Sequence, residues 1–420
     1  MREPITSSIL RTVVAGSSCI AVLCIASSQV WAADPPPPPA AVAPGQPPPP
    51  PAPPPPPAAP EEEKISFGAW VRFGATLQSP YDPEKLNKVT GNGELDFLAR
   101  GRITKEIGVI GSVFAQYGPS AGGGGTNTGT ANIEDAIVQV EPDDAFHVWL
   151  GRMLVASDRS NFSGPWHISP WTYPGFFSYT YLVPQGAAPP IGPRQGPVGR
   201  NDGATVWGQF GGGMFKYYAG VYNLFAATQT NQGSTPIYSA RVSLDLWAPE
   251  PGYFNASTYY GAKDTLGIGV GAQFQPDGSA GAAAATSDFS EVNVDVLVEK
   301  NLGPAGVITG EGAFYKYIGD NEPLNFSYFL LASYLTAEKM GPGKLQPLVR
   351  LQQAKPKEFN GVTADTATMI DVQLGYVVSG FDARFALGYQ NQNFGQGMRP
   401  DGSVGDRKGN AVFFGAQVKK

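Results

Sequence analysis

Thiol chemistry is nearly absent: 420 residues hold two cysteines, Cys19 and Cys24, both close to the N-terminus. Histidine is as scarce, with only His147 and His167. Two histidines without a nearby thiolate make a poor transition-metal site. A serine hydrolase needs a histidine beside its nucleophile and a third group to orient it. Neither histidine sits in such a motif, so no catalytic, metal or cofactor site is expected. Charge is sparse and leans acidic, with 35 Asp and Glu against 29 Lys and Arg, a net −6. That balance gives no support for nucleic-acid binding. Beyond the N-terminal leader no segment approaches the roughly 18 consecutive apolar residues of a membrane helix.

The first residues read as an export signal. Arg2 and Arg11 are positive, Thr12 to Ser28 is mostly apolar or small, and Val30-Trp31-Ala32 ends the leader. Cleavage there makes residues 1–32 the signal peptide and Ala33 the mature start. Leu23 is too bulky for lipoprotein processing at Cys24, so the mature chain carries no thiol and no disulfide. Losing Arg2, Glu3 and Arg11 removes a net +1 and moves the charge from −6 to −7. Residues 33–64 then form a low-complexity run, PPPPPAAVAPGQPPPPPAPPPPPAAPEEEK within it. Proline fixes φ and removes donors, so this run is polyproline II rather than helix or sheet. About 28 such residues reach on the order of 85 Å. A stiff periplasmic spacer is one reading; a docking segment for a periplasmic partner or the cell wall is the other.

From residue 65 to 420 the chain alternates. Ile65, Phe67, Ala69, Val71, Phe73, Ala75 and Leu77 face one way, and Ser66, Gly68, Trp70, Arg72, Gly74 and Thr76 the other. A period of two marks a strand with two unlike faces. The pattern recurs at Ile65–Leu77, Glu94–Thr104, Ile107–Tyr117, Ile133–Glu141, Phe146–Met153, Ala204–Gly211, Met214–Asn223 and Tyr238–Trp247. It continues at Thr265–Phe274, Phe289–Glu299, Ala305–Lys316, Ser327–Ala337, Lys344–Ala354, Ala367–Val377, Asp382–Asn391 and Asn410–Val418. Sixteen strands is an even number, as a barrel with both ends in the periplasm requires. Tight turns such as Lys105-Glu106 and Gly212-Gly213 alternate with long stretches such as Gly118–Asn132. The expected fold is an all-β transmembrane antiparallel barrel, apolar outside and polar inside. Pro249 to Asp264 fits badly: it is too long for a periplasmic turn, and Tyr253–Tyr260 could be a strand of an eighteen-strand alternative.

After the fifth strand, Leu154 to Gly203 runs without periodicity. Loops of that length are functional or disordered. The aromatic and proline content of SDRSNFSGPWHISPWTYPGFFSYTYLVP favours an ordered third outside loop folded into the barrel. Asp158, Arg159, Trp166, Trp171, Arg194 and Arg200 are its candidate constriction residues; packing over the mouth is the competing reading.

GRMLVASDRSNFSGPW, then GRNDGATVWGQFGGGMFKYYAGVYNLF and YSARVSLDLWAP, resembles the phosphate-selective porin O and P family. The matching features are Gly151-Arg152, Gly208, Tyr217 to Asn223 and Ala240-Arg241, within a resemblance over most of Ile65–Val418. It implies a sixteen-strand barrel, homotrimers in the outer membrane of a Gram-negative cell, and passive diffusion of small solutes, sometimes anions. Two departures stand out. The chain ends Val418-Lys419-Lys420 without a terminal aromatic, and it has no dense ladder of arginine and lysine, so phosphate selectivity does not carry over.

Alternation places Arg72, Arg100, Arg102, Lys216, Arg241, Arg350 and Arg384 on the lumen face, with Glu291, Asp295 and Glu311 among the opposing acids. Rows of charge set ion preference. The basic groups gather near the closing seam and the acidic ones across the barrel, a transverse field that orients polar solutes; an anion preference is expected where the basic seam dominates over the acidic wall. Mutual pairing that merely keeps the lumen wet is the alternative. Lumen-facing Trp70, Trp149 and Trp207 read either as an apolar slide for sugars or as interface anchors. The overall expectation is a water-filled channel for ions and small hydrophilic solutes. A plugged barrel serving as scaffold or sheath for a partner is the second reading.

Overall fold

The structure is a computed structural model that describes residues 65–78, 88–119, 127–174, 199–223, 235–280, 286–319, 322, 324–359, 362–363, 365–398 and 404–420. The leader and the proline run lie outside the described residues. The strands are β1 (Ser66–Gln78), β2 (Lys88–Arg102), β3 (Ile107–Pro119), β4 (Asn127–Asp143), β5 (Phe146–Leu154) and β6 (Arg200–Phe210). They continue as β7 (Phe215–Tyr222), β8 (Ile237–Asp245), β9 (Thr265–Ala280), β10 (Thr286–Asn301), β11 (Val307–Ile318) and β12 (Leu324–Leu335). The remainder are β13 (Lys344–Pro356), a small hairpin of β14 (Glu358–Phe359) and β15 (Val362–Thr363), then β16 (Ala367–Ser379), β17 (Ala383–Met398) and β18 (Val404–Lys419). One helix, α1 (Arg159–Ser163), follows β5.

All strands except the β14–β15 pair form one closed antiparallel barrel of sixteen, each beside its neighbours in the chain. The seam joins β1 to β18 with Val71 opposite Val418 and Gly74 opposite Gly415. Backbone bonds between Ala69 and Lys420 extend the seam to the last residue. A closed ladder leaves no open edge, which is the condition for a sheet in hydrocarbon.

The alternation read from sequence is the alternation seen. Phe67, Val71 and Phe73 point outward and are exposed, while Arg72 between them is buried inside. The same holds for Val242 and Leu244 against Arg241 and Ser243, and for Val412 and Phe414 against Phe413. An outer surface of exposed Val, Leu, Ile and Phe with charges turned inward suits lipid, where an outward charge costs a few kcal/mol at mid-depth.

The segment between β8 and β9 corrects the sequence expectation. It is neither a short turn nor a strand of its own. Residues 253–258 contain no strand, and Tyr253, Asn255, Ser257 and Thr258 are buried. Their alternation is genuine, but it is satisfied by inward side chains of the wall instead of a ladder. Lys216 donates to Asn255 Oδ1 at 2.6 Å, and Thr258 donates to Glu299 at 2.5 Å. Ser257 donates to Glu311. The segment lies at the barrel end that holds the short turns, so it enters from the opposite side to the long loop.

Candidate functional site

The lumen is divided by two inward segments, and the wall residues that hold them explain most of the buried charge. The long loop leaves β5 and turns at α1, which ends at Gly164 (φ +57°). There the Gly164 N–H returns to the carbonyls of Ser160 and Asn161. Its first part lies on β8 to β10. Ser239 donates to Ala156 O, Arg241 Nη1 donates to Ser157 O at 3.2 Å, and the Arg159 N–H reaches Asp295 at 3.2 Å. Its later part crosses to the far wall. Gln417 donates to Trp166 O at 3.1 Å, and Arg384 donates to the carbonyls of Ile168 and Ser169 at 2.7 and 3.0 Å. Arg72 donates to Trp171 O at 2.9 Å, and Arg350 to Thr172 O at 2.8 Å. A loop inside a barrel has unpaired carbonyls to satisfy, and guanidinium groups meet them with several donors in a fixed plane.

Space for the loop comes from glycine. On the inner face of β9 Gly267, Gly269 and Gly271 recur at every second position. A Cβ there would overlap Arg159, Arg241 and the Ser157 carbonyl respectively. Trp171 lies over Gly415, where an added Cβ would run into its indole. The guanidinium of Arg72 covers the same indole 4.3 Å from its ring centroid.

The two inward segments meet at Arg159. Its guanidinium donates to Glu250 Oε1 at 2.9 Å and Oε2 at 2.5 Å, and to Ala256 O at 3.1 Å. Asp245 and Asp295 lie 3.7 and 3.9 Å away. A backbone bond from Ser257 N to His167 O, 3.0 Å, joins the same segments further along. Burial pushes the Glu250 carboxyl up, but Arg159 outweighs it and holds the group well below its usual range. Burial raises Asp158 instead, although Tyr315 donates to it at 2.6 Å. His167 is held neutral: burial, with Lys419 and Arg384 nearby, lowers it to about 3. Its Nε2 lies 2.8 Å from Lys419 Nζ.

Among the described residues, two sizeable cavities lie beside these segments. The first, about 420 Å³, lies between the two inserts and the β1–β4 wall, with Trp70, Asp96, Arg100, Trp166, Phe254 and Tyr259 among its lining. The second, about 450 Å³, is lined by Ser66, Arg102, Glu141, His147, Trp149 and Trp207 among others. Arg100 and Phe254 line both.

The expected lumen residues therefore divide. Arg241 pairs with Asp295 at 2.5 Å, Arg350 with Asp371 at 2.8 Å, and Arg72 with Glu94 at 3.1 Å. These three, with Arg384 and Lys216, face inward but are buried beneath the inserts, not open to the passage. Glu291, Asp295 and Glu311 are covered likewise. Arg102 remains half exposed beside Glu141, 2.5 Å away. Arg100 is exposed and, among the described residues, makes no hydrogen bond or ion pair through its side chain. Of the loop residues, Asp158, Arg159, Trp166 and Trp171 lie inside the barrel as described, and Arg200 reaches Glu134 at 2.7 Å and Asp135 at 3.3 Å. Arg194 lies outside the described residues. Trp149 and Trp207 are nearly covered by packing, with Tyr253 stacked on Trp149 at 4.3 Å, so they support the insert and do not anchor the barrel at an interface. His147 packs on Trp207 at 3.9 Å between ring centroids.

Sequence reasoning missed Glu250, Phe254 and the β9 glycines. The signal for the glycines was present as Gly267-Ile268-Gly269-Val270-Gly271, an alternation with nothing on its inner face.

No family model matches the chain, and no curated protein matches it. Solved structures do. OprB of Pseudomonas putida, in a high-pH structure, is 10% identical over 85% of this chain and 94% of its own, with a TM-score of 0.55. The anion-selective porin of Comamonas acidovorans is 12% identical over 86% and 100%, TM-score 0.51. OmpT of Vibrio cholerae, solved in a trimer form, is 12% identical over 86% and 100%, TM-score 0.50. At such identities the likeness is one of fold, and that fold is the closed sixteen-strand barrel of outer-membrane porins.

Proposed function

We propose that this chain is an outer-membrane porin: a narrow, water-filled channel for passive diffusion of ions and small hydrophilic solutes, with a weak preference for anions. One observation carries the reading. Inside a closed barrel with an apolar outer surface, two adjoining cavities share an exposed arginine, Arg100, that makes no ion pair among the described residues, with Asp135 and Asp96 as the nearby carboxylates. The anion preference is assigned to Arg100 and Arg102; the buried arginines serve as loop anchors. Residues 1–32 act as the export signal, 33–64 as a periplasmic spacer, and 65–420 as the channel domain. A homotrimer is the proposed assembly, by analogy with the trimer form of OmpT. Kinship with the phosphate-selective porin O and P family rests on the motifs around Gly151-Arg152 and Tyr217 to Asn223.

Single-channel recording of the purified protein in planar bilayers, with reversal potential under a KCl gradient, tests this. Uniform steps with a chloride-favouring potential support the reading. The contact between the two inserts favours a second one, a plugged barrel acting as a scaffold. A silent bilayer, with a heat-modifiable barrel on gels, would establish that alternative.

A further inference from the structure

Resting on the channel reading, we infer that the passage holds a subsite for small organic acids that join a carboxylate to a flat apolar body, as aromatic carboxylates do. Arg100 is the centre of this site. Its guanidinium carbon lies 5.8 Å from the Phe254 ring centroid, which leaves its edge N–H groups free to bind. Among the described residues, the other lumen arginines (Arg72, Arg102, Arg241, Arg350 and Arg384) spend donors on a carboxylate, a carbonyl or an amide oxygen of this chain. A free planar fork matches a carboxylate in two parallel hydrogen bonds.

The surroundings select the rest of the ligand. The first cavity offers Trp70, Phe254 and Tyr259, each only half buried, as apolar walls. Its acids are mostly engaged already: Asp135 by Arg200 and Glu250 by Arg159. Asp96, 2% exposed, lies beside Glu134 and within the field of Arg200 and Arg100. Arg200 also holds Glu134, so the charges around the aromatic chamber are even in number, and Arg100 is the cation there whose donors are unspent among the described residues. At about 420 Å³ the chamber admits a single-ring acid with accompanying water. A sugar would find few unengaged hydrogen-bonding groups there, and an inorganic anion would make no use of the aromatic walls.

Benzoate is the probe, with acetate and glucose as comparisons. Calorimetry on the detergent-folded full-length protein measures binding, and block of the KCl current in planar bilayers measures it in the passage. Benzoate is expected to bind and block at lower concentration than acetate, and glucose to do neither. Arg100→Gln should weaken benzoate about tenfold or more, since a charged hydrogen-bonded pair is lost. Phe254→Ala should weaken benzoate while leaving acetate as it was. Heat-modifiability on gels certifies that each variant is folded. Equal affinity for benzoate and acetate, a stronger effect from glucose, or an Arg100→Gln variant that binds as the parent does would each overturn the inference. Absent KCl steps with calorimetric benzoate binding intact would instead refute the channel reading and leave the subsite standing.

Discussion

Replacing Arg159 with alanine is the sharpest perturbation of the lumen. One guanidinium, 1% exposed, serves Glu250, the Ala256 carbonyl and the field of Asp245 and Asp295. Without it three buried carboxylates face one another, with Arg241, Lys216 and Lys263 as the neighbouring cations among the described residues. Breaking a buried pair by removing one partner costs about 3–5 kcal/mol. At about 1.4 kcal/mol per factor of ten, the docked-to-undocked ratio of the two inserts falls by two to three orders of magnitude or so. The wall keeps its closed backbone ladder, and the far end of the loop keeps Arg72, Arg350 and Arg384. The barrel should therefore still form and still be heat-modifiable. Its channel should be larger on average and noisier, because the loop and the 246–264 segment have lost their side-chain tie and keep the backbone bond from Ser257 to His167. Arg159→Lys should lie between, since an ammonium cannot make the paired contact to Glu250. Single-channel conductance and current noise are the readouts, with thermal unfolding in detergent beside them. Parental conductance, noise and melting temperature in Arg159→Ala would refute the reasoning.

Further consequences concern other parts of the molecule. Gly415→Leu would fill the seat of Trp171 and should cost about 1–3 kcal/mol in overpacking, seen as a lower melting temperature and altered conductance. Acid should act on the long loop through His167. His167 sits at about 3 against a usual 6.5, so the unfolded chain takes up the extra proton as pH falls from 6.5 towards 3. Glu250 acts in the same sense: its contribution is full above the usual 4.5 and fades as pH drops towards its depressed value. Asp158, raised by burial, opposes them above 3.8. His167 is therefore expected to make the melting temperature fall more steeply below pH 6.5 in the parent than in His167→Asn; an equal slope in that variant would remove His167 from the account. Arg100→Ala with Arg102→Ala should move the reversal potential towards cations, and no shift would take selectivity away from this pair. Deleting Pro35 to Pro60 should leave single-channel conductance as it is; a large change would mean that the segment enters the lumen.

Alternation alone determined the barrel. Strand periodicity is local, and lipid outside with water inside imposes the same rule on every strand, so Ile65–Leu77 and Tyr238–Trp247 could be read with no partner in view. The aromatic third loop was legible for a related reason: Trp166 and Trp171 are too apolar for an exposed loop. Three-dimensional structure decided which charges meet. Arg72, Arg241, Arg350 and Arg384 share one pattern with Arg100 in the sequence, yet only the path of the loop shows that the four are consumed by its carbonyls and nearby carboxylates. Glu250 and Arg159 lie 91 residues apart, and no local period announces their contact. The segment from Pro249 to Asp264 mimicked a strand because burial of alternate side chains has the same period whether the partner is a neighbouring strand or the side chains of a lumen wall. A pattern of two records which residues are covered; what covers them is fixed by where the closed sheet brings the rest of the chain.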